Sequence, residues 1–309
     1  MPLFFGRLPV RPLHAALLAL TALVAVDARA LSAQSLRNGN AANSGAPEYG
    51  PPAGTLLIVG GGNLDGTGIL ERFIALAGGP NARIIVVPTA GGNRRPDGTI
   101  TMYDSAQVLA SWHRLGANNV RMLHSHDAKV ADTDSFPNML REASAVWFNG
   151  GRQWNIVDSY ANTKTFGAFH DVLARGGVIG GSSAGATIQG AFLVRGAVSG
   201  SDVMMAPEPE HQTAFGFLRR SAIDQHINAR NRWDDLIPVI KRFPDLLGIG
   251  LSEGTAIEVH GDAFTVMGKA EVTVHDNTRN YNPEGKPYLK LNPGEGFDMK
   301  RRLVVLRNH

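Results

Sequence analysis

"IGGSSAGATI" spans residues 179–188, and whether Ser183 is a nucleophile or only a serine in a glycine-rich turn decides how the chain is read. An apolar run, Gly177-Val178-Ile179, leads in, and a helix-compatible run from Ala184 to Gln189 leads out. Gly181-Ser182-Ser183-Ala184-Gly185 fits G-x-S-x-G, a pattern that carries catalytic meaning between a strand and a helix. The flanking glycines let the backbone turn sharply and lift the Ser183 hydroxyl clear of a sheet. The same turn aims the Ala184 amide at any oxyanion formed on attack. Small residues also make ordinary strand-to-helix turns, so the pentapeptide needs support from the rest of the chain.

Outward from that turn, short apolar runs alternate with longer periodic ones. "TLLIVGGG" (55–62), "ARIIVVPTA" (82–90), "NVRMLH" (119–124), "ASAVWFNGG" (143–151) and "GVIG" (177–180) read as buried strands. "GILERFIALAG" (68–78), "YDSAQVLASWHRLGA" (103–117) and "TFGAFHDVLARGG" (165–177) have helical spacing, the second with Asp104 or Ser105 as its cap. Strands recurring between helices predict an α/β fold whose mostly parallel sheet is covered on both faces. From Gly248, "GIGLSEGTAIEVHGDAFTVMGKAEVTVHD" predicts short strands and tight turns, a C-terminal antiparallel extension. No repeat and no second domain boundary interrupts the pattern.

Residues 1–30 read as a signal peptide. Arg7, Arg11 and His14 precede the apolar run "AALLALTALVAV" (15–26), and cleavage is expected after Ala30 or Ala33. That run is too short to span a bilayer as a helix, so no membrane attachment is expected after cleavage, and the protein is expected to be secreted or periplasmic. Residues 31–52, polar and rich in Gly, Asn, Ala and Pro, predict a flexible leader. Residues 53–309 are left for one domain. The formal charge of +3 falls to +1 without residues 1–30, which carry three Arg against one Asp. That is no footprint for nucleic acid. With no cysteine in the chain, thiol catalysis and thiolate metal sites are excluded.

A nucleophile needs a base. His226 stands in "AIDQHINARNRWDDL", beside Asp224, Gln225, Arg230 and Arg232, groups able to grip a charged ligand. Read blandly, the same stretch is a solvated helix start capped by Asp224. "NGGRQ" (149–153) ends another apolar strand, and its glycines expose amides that could complete an oxyanion site. Taken together, "NGGRQ", "GGSSAGA", "DQH" followed by "RNR", and "GIGLSEGTA" resemble, in order and spacing, the cyanophycinase and aspartyl dipeptidase family of serine peptidases. The resemblance runs from about Thr55 to the C-terminal strands.

It implies a three-layer sandwich of the class I glutamine amidotransferase type, with Ser183 as nucleophile, His226 as base, and Ala184 and Gly151 as oxyanion donors. Gln153, Asp224, Gln225, Arg230 and Arg232 are the substrate-binding residues expected. A carboxylate downstream of the serine is also implied; Asp202 is best placed, with Glu208 and Glu210 as alternatives. The chain departs from cyanophycinases at Asp235, where they carry a third arginine, and at Arg152, where an acidic residue or Asn is common. The function implied is cleavage of amide bonds next to aspartyl residues, in β-aspartyl or cyanophycin-like peptides, with no cofactor and no metal. A peptide substrate is the partner expected, with a homodimer left open.

Three other readings compete. An α/β-hydrolase esterase shares the serine elbow, but more than eighty residues follow His226 and no "HGGG"-type loop lies upstream. A nucleotide- or sugar-binding module could use "VGGGNLDG" (59–66), yet Asp65 stands where a dinucleotide loop needs its third glycine. An inactive binding relative is the third. "HSHD" (124–127) could bring His124 and His126 to one metal ion, though no further ligand is apparent nearby.

Overall fold

β1 (Thr55–Val59), β2 (Ile84–Val87), β4 (Ala145–Phe148) and β5 (Val178–Ser182) are almost wholly buried. β-Branched and aromatic residues dominate β1, β2 and β4, as expected of strands covered on both faces. In the computed structural model, which describes residues 45–92, 98–279 and 285–306, these strands and β3 (Val120–Met122) lie parallel in the order β1-β5-β4-β2-β3. β8 (Thr255–His260) pairs antiparallel with the free side of β1. β9 (Ala263–Gly268), β12 (Glu295–Asp298) and β13 (Leu303–Leu306) continue outward, giving this sheet nine strands among the described residues. Of the expected antiparallel extension, β8 and β9 join the same sheet as the parallel strands, whereas residues 248–251 and 272–275 belong to a second sheet.

Side-chain alternation sorts the sheet's residues into two cores. Leu57, Val59, Ala145, Trp147 and Val178 face the helices Ile69–Leu76 and Ser105–Arg114. There Phe73 packs edge-on to Trp147 at 5.0 Å between ring centroids, with Trp112 5.4 Å from Trp147. Full burial of side chains of this size contributes about 2–3 kcal/mol each. Leu56, Ile58, Val146, Phe148 and Ile179 face the other way, toward the helices Gln153–Tyr160 and Lys164–Ala174.

That second core also takes Ile223, Leu247 and Ile249 from a further sheet, β6 (Ser221–Gln225), β7 (Leu247–Leu251), β10 (Val272–His275) and β11 (Tyr288–Leu291). Its order is β11-β10-β7-β6, and β6 and β7 run parallel.

The structure departs from the sequence reading in three places. Asp104 caps its helix as expected, accepting from the Ala106 amide at 2.8 Å, but helix Gln153–Tyr160 was not foreseen. It buries polar Gln153, Asn155 and Ser159 and so lacks an amphipathic stripe. The bland helix reading of residues 222–236 fails, because residues 222–225 belong to β6 and turns follow. The flexible leader (31–52) is corrected at its C-terminal end: Tyr49 is buried, and Arg219 donates to the carbonyls of Pro47 and Gly50. The compact unit correspondingly runs from Pro47 to His309. The signal peptide (1–30) and the leader up to residue 44 lie outside the described residues. No helix among the described residues is long and apolar enough to cross a membrane.

Candidate active site

Ser183 follows the last residue of β5 and holds φ 58° and ψ −114°, a conformation an L-residue rarely adopts. The turn delivers its Oγ to 2.8 Å from Nε2 of His226, which follows directly on β6. On the other side of the ring, Nδ1 lies 2.5 Å from Oε1 of Glu253. An ionised carboxylate only accepts, so Nδ1 carries the imidazole proton and Nε2 offers a lone pair to the serine hydroxyl. Glu253 sits in the turn from β7 to β8, where the chain crosses from the four-stranded sheet to the nine-stranded one. The three side chains thus meet where the sheets adjoin, at the carboxyl ends of β5, β6 and β7.

The surrounding turns hold this row in place. The His226 amide donates to the Gly60 carbonyl at 3.0 Å. Gly61, at φ 102°, lies so close to the ring that a Cβ there would stand 2.3 Å from His226 Cε1. The glycine turn 59–66 therefore packs against the back of the imidazole. The Asn228 side chain accepts from the Glu253 amide at 2.9 Å and anchors the acid's backbone.

Gly150 abuts the nucleophile, since a Cβ added there would lie 3.2 Å from Ser183 Cβ. The Gly150–Gly151 peptide consequently runs beside the serine, and the Arg152 amide pins this loop to the Ala90 carbonyl at 2.7 Å. Ala184 begins helix Ala184–Thr187, so its N–H has no intrahelical acceptor. Both expected oxyanion residues therefore flank the nucleophile.

Burial pushes the His226 pKa below the ordinary imidazole value; the Glu253 hydrogen bond opposes that shift, and the charge of Arg230 reinforces it. The ring is thus neutral near neutral pH, the state in which it can take a proton.

Other expectations are corrected. Asp202 is not the third catalytic group: its side chain is 98% exposed, and its nearest ionic partner is Arg232 at 3.8 Å. Glu208 and Glu210 are not beside the imidazole either; Glu210 lines a separate cavity of about 430 Å³ with Asp158 and Phe215. Asp224 does not face a substrate as it stands: it is fully buried, and its oxygens accept from Arg195 at 2.8 and 2.9 Å and from the Gln225 amide. Gln153 is committed as well, its Nε2 donating to the carbonyls of Val194 and Arg195 at 2.8 Å each.

Gln225 is buried with Oε1 unpartnered. Arg232 is buried with Nη1 unpartnered, while Arg230 is exposed. His124 and His126 stand 5.7 Å apart between ring centroids, and His124 Nδ1 pairs with the Thr89 hydroxyl at 2.8 Å. No group of three metal-ligating His, Asp or Glu residues occurs among the described residues.

Sequence reasoning missed Glu253, Asn228 and Arg195. A carboxylate two residues beyond the end of an apolar strand in "GIGLSEGTA" was the available signal for Glu253. Nothing local marks the other two. Glu253 on the imidazole supplies the carboxylate that the sequence reading left open between Asp202, Glu208 and Glu210.

Comparison with known proteins gives the family of the chain. The profile of peptidase family S51 matches residues 56–267. A cyanophycinase from Geminocystis herdmanii is 28% identical over 237 residues, 75% of this chain and 84% of that protein. One from Synechococcus elongatus is 30% identical over 230 residues, 72% of this chain and 68% of that protein. The crystal structure of a peptidase from an acI-B1 Actinobacterium shares the fold, with a TM-score of 0.57 at 21% identity over 80% of this chain and 97% of that one.

Proposed function

The chain belongs to peptidase family S51 and is a serine-type peptidase, and from that premise we propose that Ser183, His226 and Glu253 carry its catalysis at amide bonds next to aspartyl residues. The observation that supports it is the unbroken row of hydrogen bonds from Ser183 Oγ through the imidazole to Glu253. Ser183 Oγ attacks the carbonyl carbon as His226 Nε2 takes its proton, and Glu253 stabilises the imidazolium that forms. The oxyanion rests on the N–H groups of Ala184 and Gly151. His226 then gives the proton to the leaving amine, and the acyl ester on Ser183 is hydrolysed by water activated in the same way.

The substrate class follows from the charge beside the base. The buried, partly unpartnered guanidinium of Arg232 and the exposed Arg230 offer paired, charge-assisted hydrogen bonds to a peptide carboxylate. Short β-aspartyl peptides fit that wall better than cyanophycin does. The layering of helices on both faces of the parallel strands supports a class I glutamine amidotransferase-like type. The basic and apolar runs of residues 1–30 support export, to the periplasm or the medium, as a domain beginning near residue 53 or slightly before.

The test is a panel of α- and β-aspartyl dipeptides, insoluble cyanophycin and neutral esters, incubated with wild type, Ser183→Ala and Arg230→Ala. Aspartyl peptides should be cleaved by wild type, more weakly by Arg230→Ala and not measurably by Ser183→Ala. A preference for neutral esters that Arg230→Ala leaves untouched overturns the aspartyl reading in favour of an esterase.

A further inference from the structure

Arg195 is among the largest fully buried side chains, at 1% exposure, and it is tied to Asp224, two residues before His226. Its Nε and Nη2 meet the two oxygens of Asp224 as a fork, at 2.8 and 2.9 Å. Nη2 also reaches Asp235 at 2.5 Å, and Nη1 donates to the Ser201 carbonyl at 2.6 Å. Such a bidentate pair is the arrangement by which a protein carboxylate recognises an arginine.

Asp224 stands two residues before the catalytic base, on the strand that delivers it. A carboxylate there, if open, would draw the cationic side chain of a bound peptide. In this chain it is already occupied from within, and so is one oxygen of Asp235. The wall that remains is Arg232, buried with a free Nη1, and the exposed Arg230.

We propose that Arg195 is a specificity-determining residue: it serves as a built-in guanidinium on Asp224, turns away peptides with a basic side chain beside the cleaved bond, and leaves the site selective for acidic ones. The proposal rests on the aspartyl-peptidase reading above and adds which neighbour of the aspartyl residue is accepted. An arginyl peptide would meet Arg232 with Asp224 closed to it and only the exposed Asp202, 3.8 Å from Arg232, to offset the repulsion, and like charges facing each other across an interface discriminate strongly.

The experiment compares three dipeptides in which aspartate is joined to glutamate, alanine or arginine, on wild type, Arg195→Gln and Arg195→Gln/Asp224→Asn. Wild type should show a kcat/KM for the glutamyl peptide at least about tenfold above that for the arginyl one. Arg195→Gln, which uncovers Asp224, should raise the arginyl peptide relative to the alanyl one by about tenfold or more, and the double variant should lose that gain. A purely structural tie would leave the ranking of the three peptides unchanged in a folded Arg195→Gln, and that result overturns the proposal. Should Arg195→Gln fail to fold, the wild-type ranking and competition by free arginine against free glutamate decide it; equal inhibition by the two overturns it. Equal cleavage of all three peptides by wild type sinks this proposal alone. Cleavage of none sinks the aspartyl reading with it.

Discussion

Ser183 and Arg195 both have a positive φ, 58° and 56°, and both reach the end of β6, yet they are built in opposite ways. The serine turn is local. Contiguous small residues fix its shape, and its side chain needs one partner, His226 Nε2. Arg195 is defined from afar, its guanidinium tied to Asp224 and Asp235, 29 and 40 residues away. The first region stores a strained conformation at the point of chemistry. The second buries an ion pair whose value depends on every partner being present. On the proposed reading, reactivity and selectivity rest on separate stretches of the chain.

The comparison is broken most forcefully at the serine. Ser183→Ala should lower kcat by about 10⁶, because nucleophile and base act as a unit. Single-turnover assays with any cleaved peptide read this directly, and retained activity would remove the elbow from the chemistry. Next comes the choice of acid. Glu253→Gln should cost about 10⁴ in kcat, the loss expected when the carboxylate of a triad becomes an amide. Asp202→Asn should leave kcat nearly unchanged, since its exposed side chain touches no part of the row. A large loss in Asp202→Asn with little in Glu253→Gln would reverse the assignment.

Those two carboxylates also show where legibility ended. The strands and the elbow could be read from sequence, because burial on both faces and a strand-to-helix turn leave contiguous patterns. Glu253 was visible as a letter in "GIGLSEGTA", but its meeting with His226 depends on β7 and β8 belonging to different sheets, which no spacing encodes. Asp202 looked better by distance along the chain, and the segment that carries it turns outward. Asp224 was misread because Ala222-Ile223 is too short an apolar pair to announce β6. Arg195 resembled any surface arginine, since its burial follows from two aspartates far downstream.

The second region is sharpened by a stability measurement. Arg195→Ala takes away the bidentate partner of Asp224, which is 0% exposed in the wild-type fold. Breaking a buried pair in this way should destabilise by about 3–5 kcal/mol, read as a lower urea midpoint. Asp224→Asn in the same background should restore much of that loss, because the uncompensated charge is gone. If Arg195→Ala unfolds at the wild-type midpoint, the pair is not the buried device described here.

The smallest effect joins the two regions through the pH profile. His226 must be neutral to accept the serine proton, and burial holds its pKa below the ordinary imidazole value. Activity should therefore be full above that lowered pKa and fall as the pH drops through it, which sets the acid limb of kcat/KM. Glu253 pulls the pKa back up, so Glu253→Gln should move the limb to lower pH on its residual rate. Arg230 pushes it down, so Arg230→Ala should move the limb to higher pH. Because Arg230 is exposed, salt screens its effect, and the Arg230→Ala shift should shrink at high ionic strength. The Glu253→Gln shift, carried by a direct hydrogen bond, should persist there. Limbs that move in the same direction in both variants would show that something other than His226 is titrating, and would separate the charge wall from the base it is described as tuning.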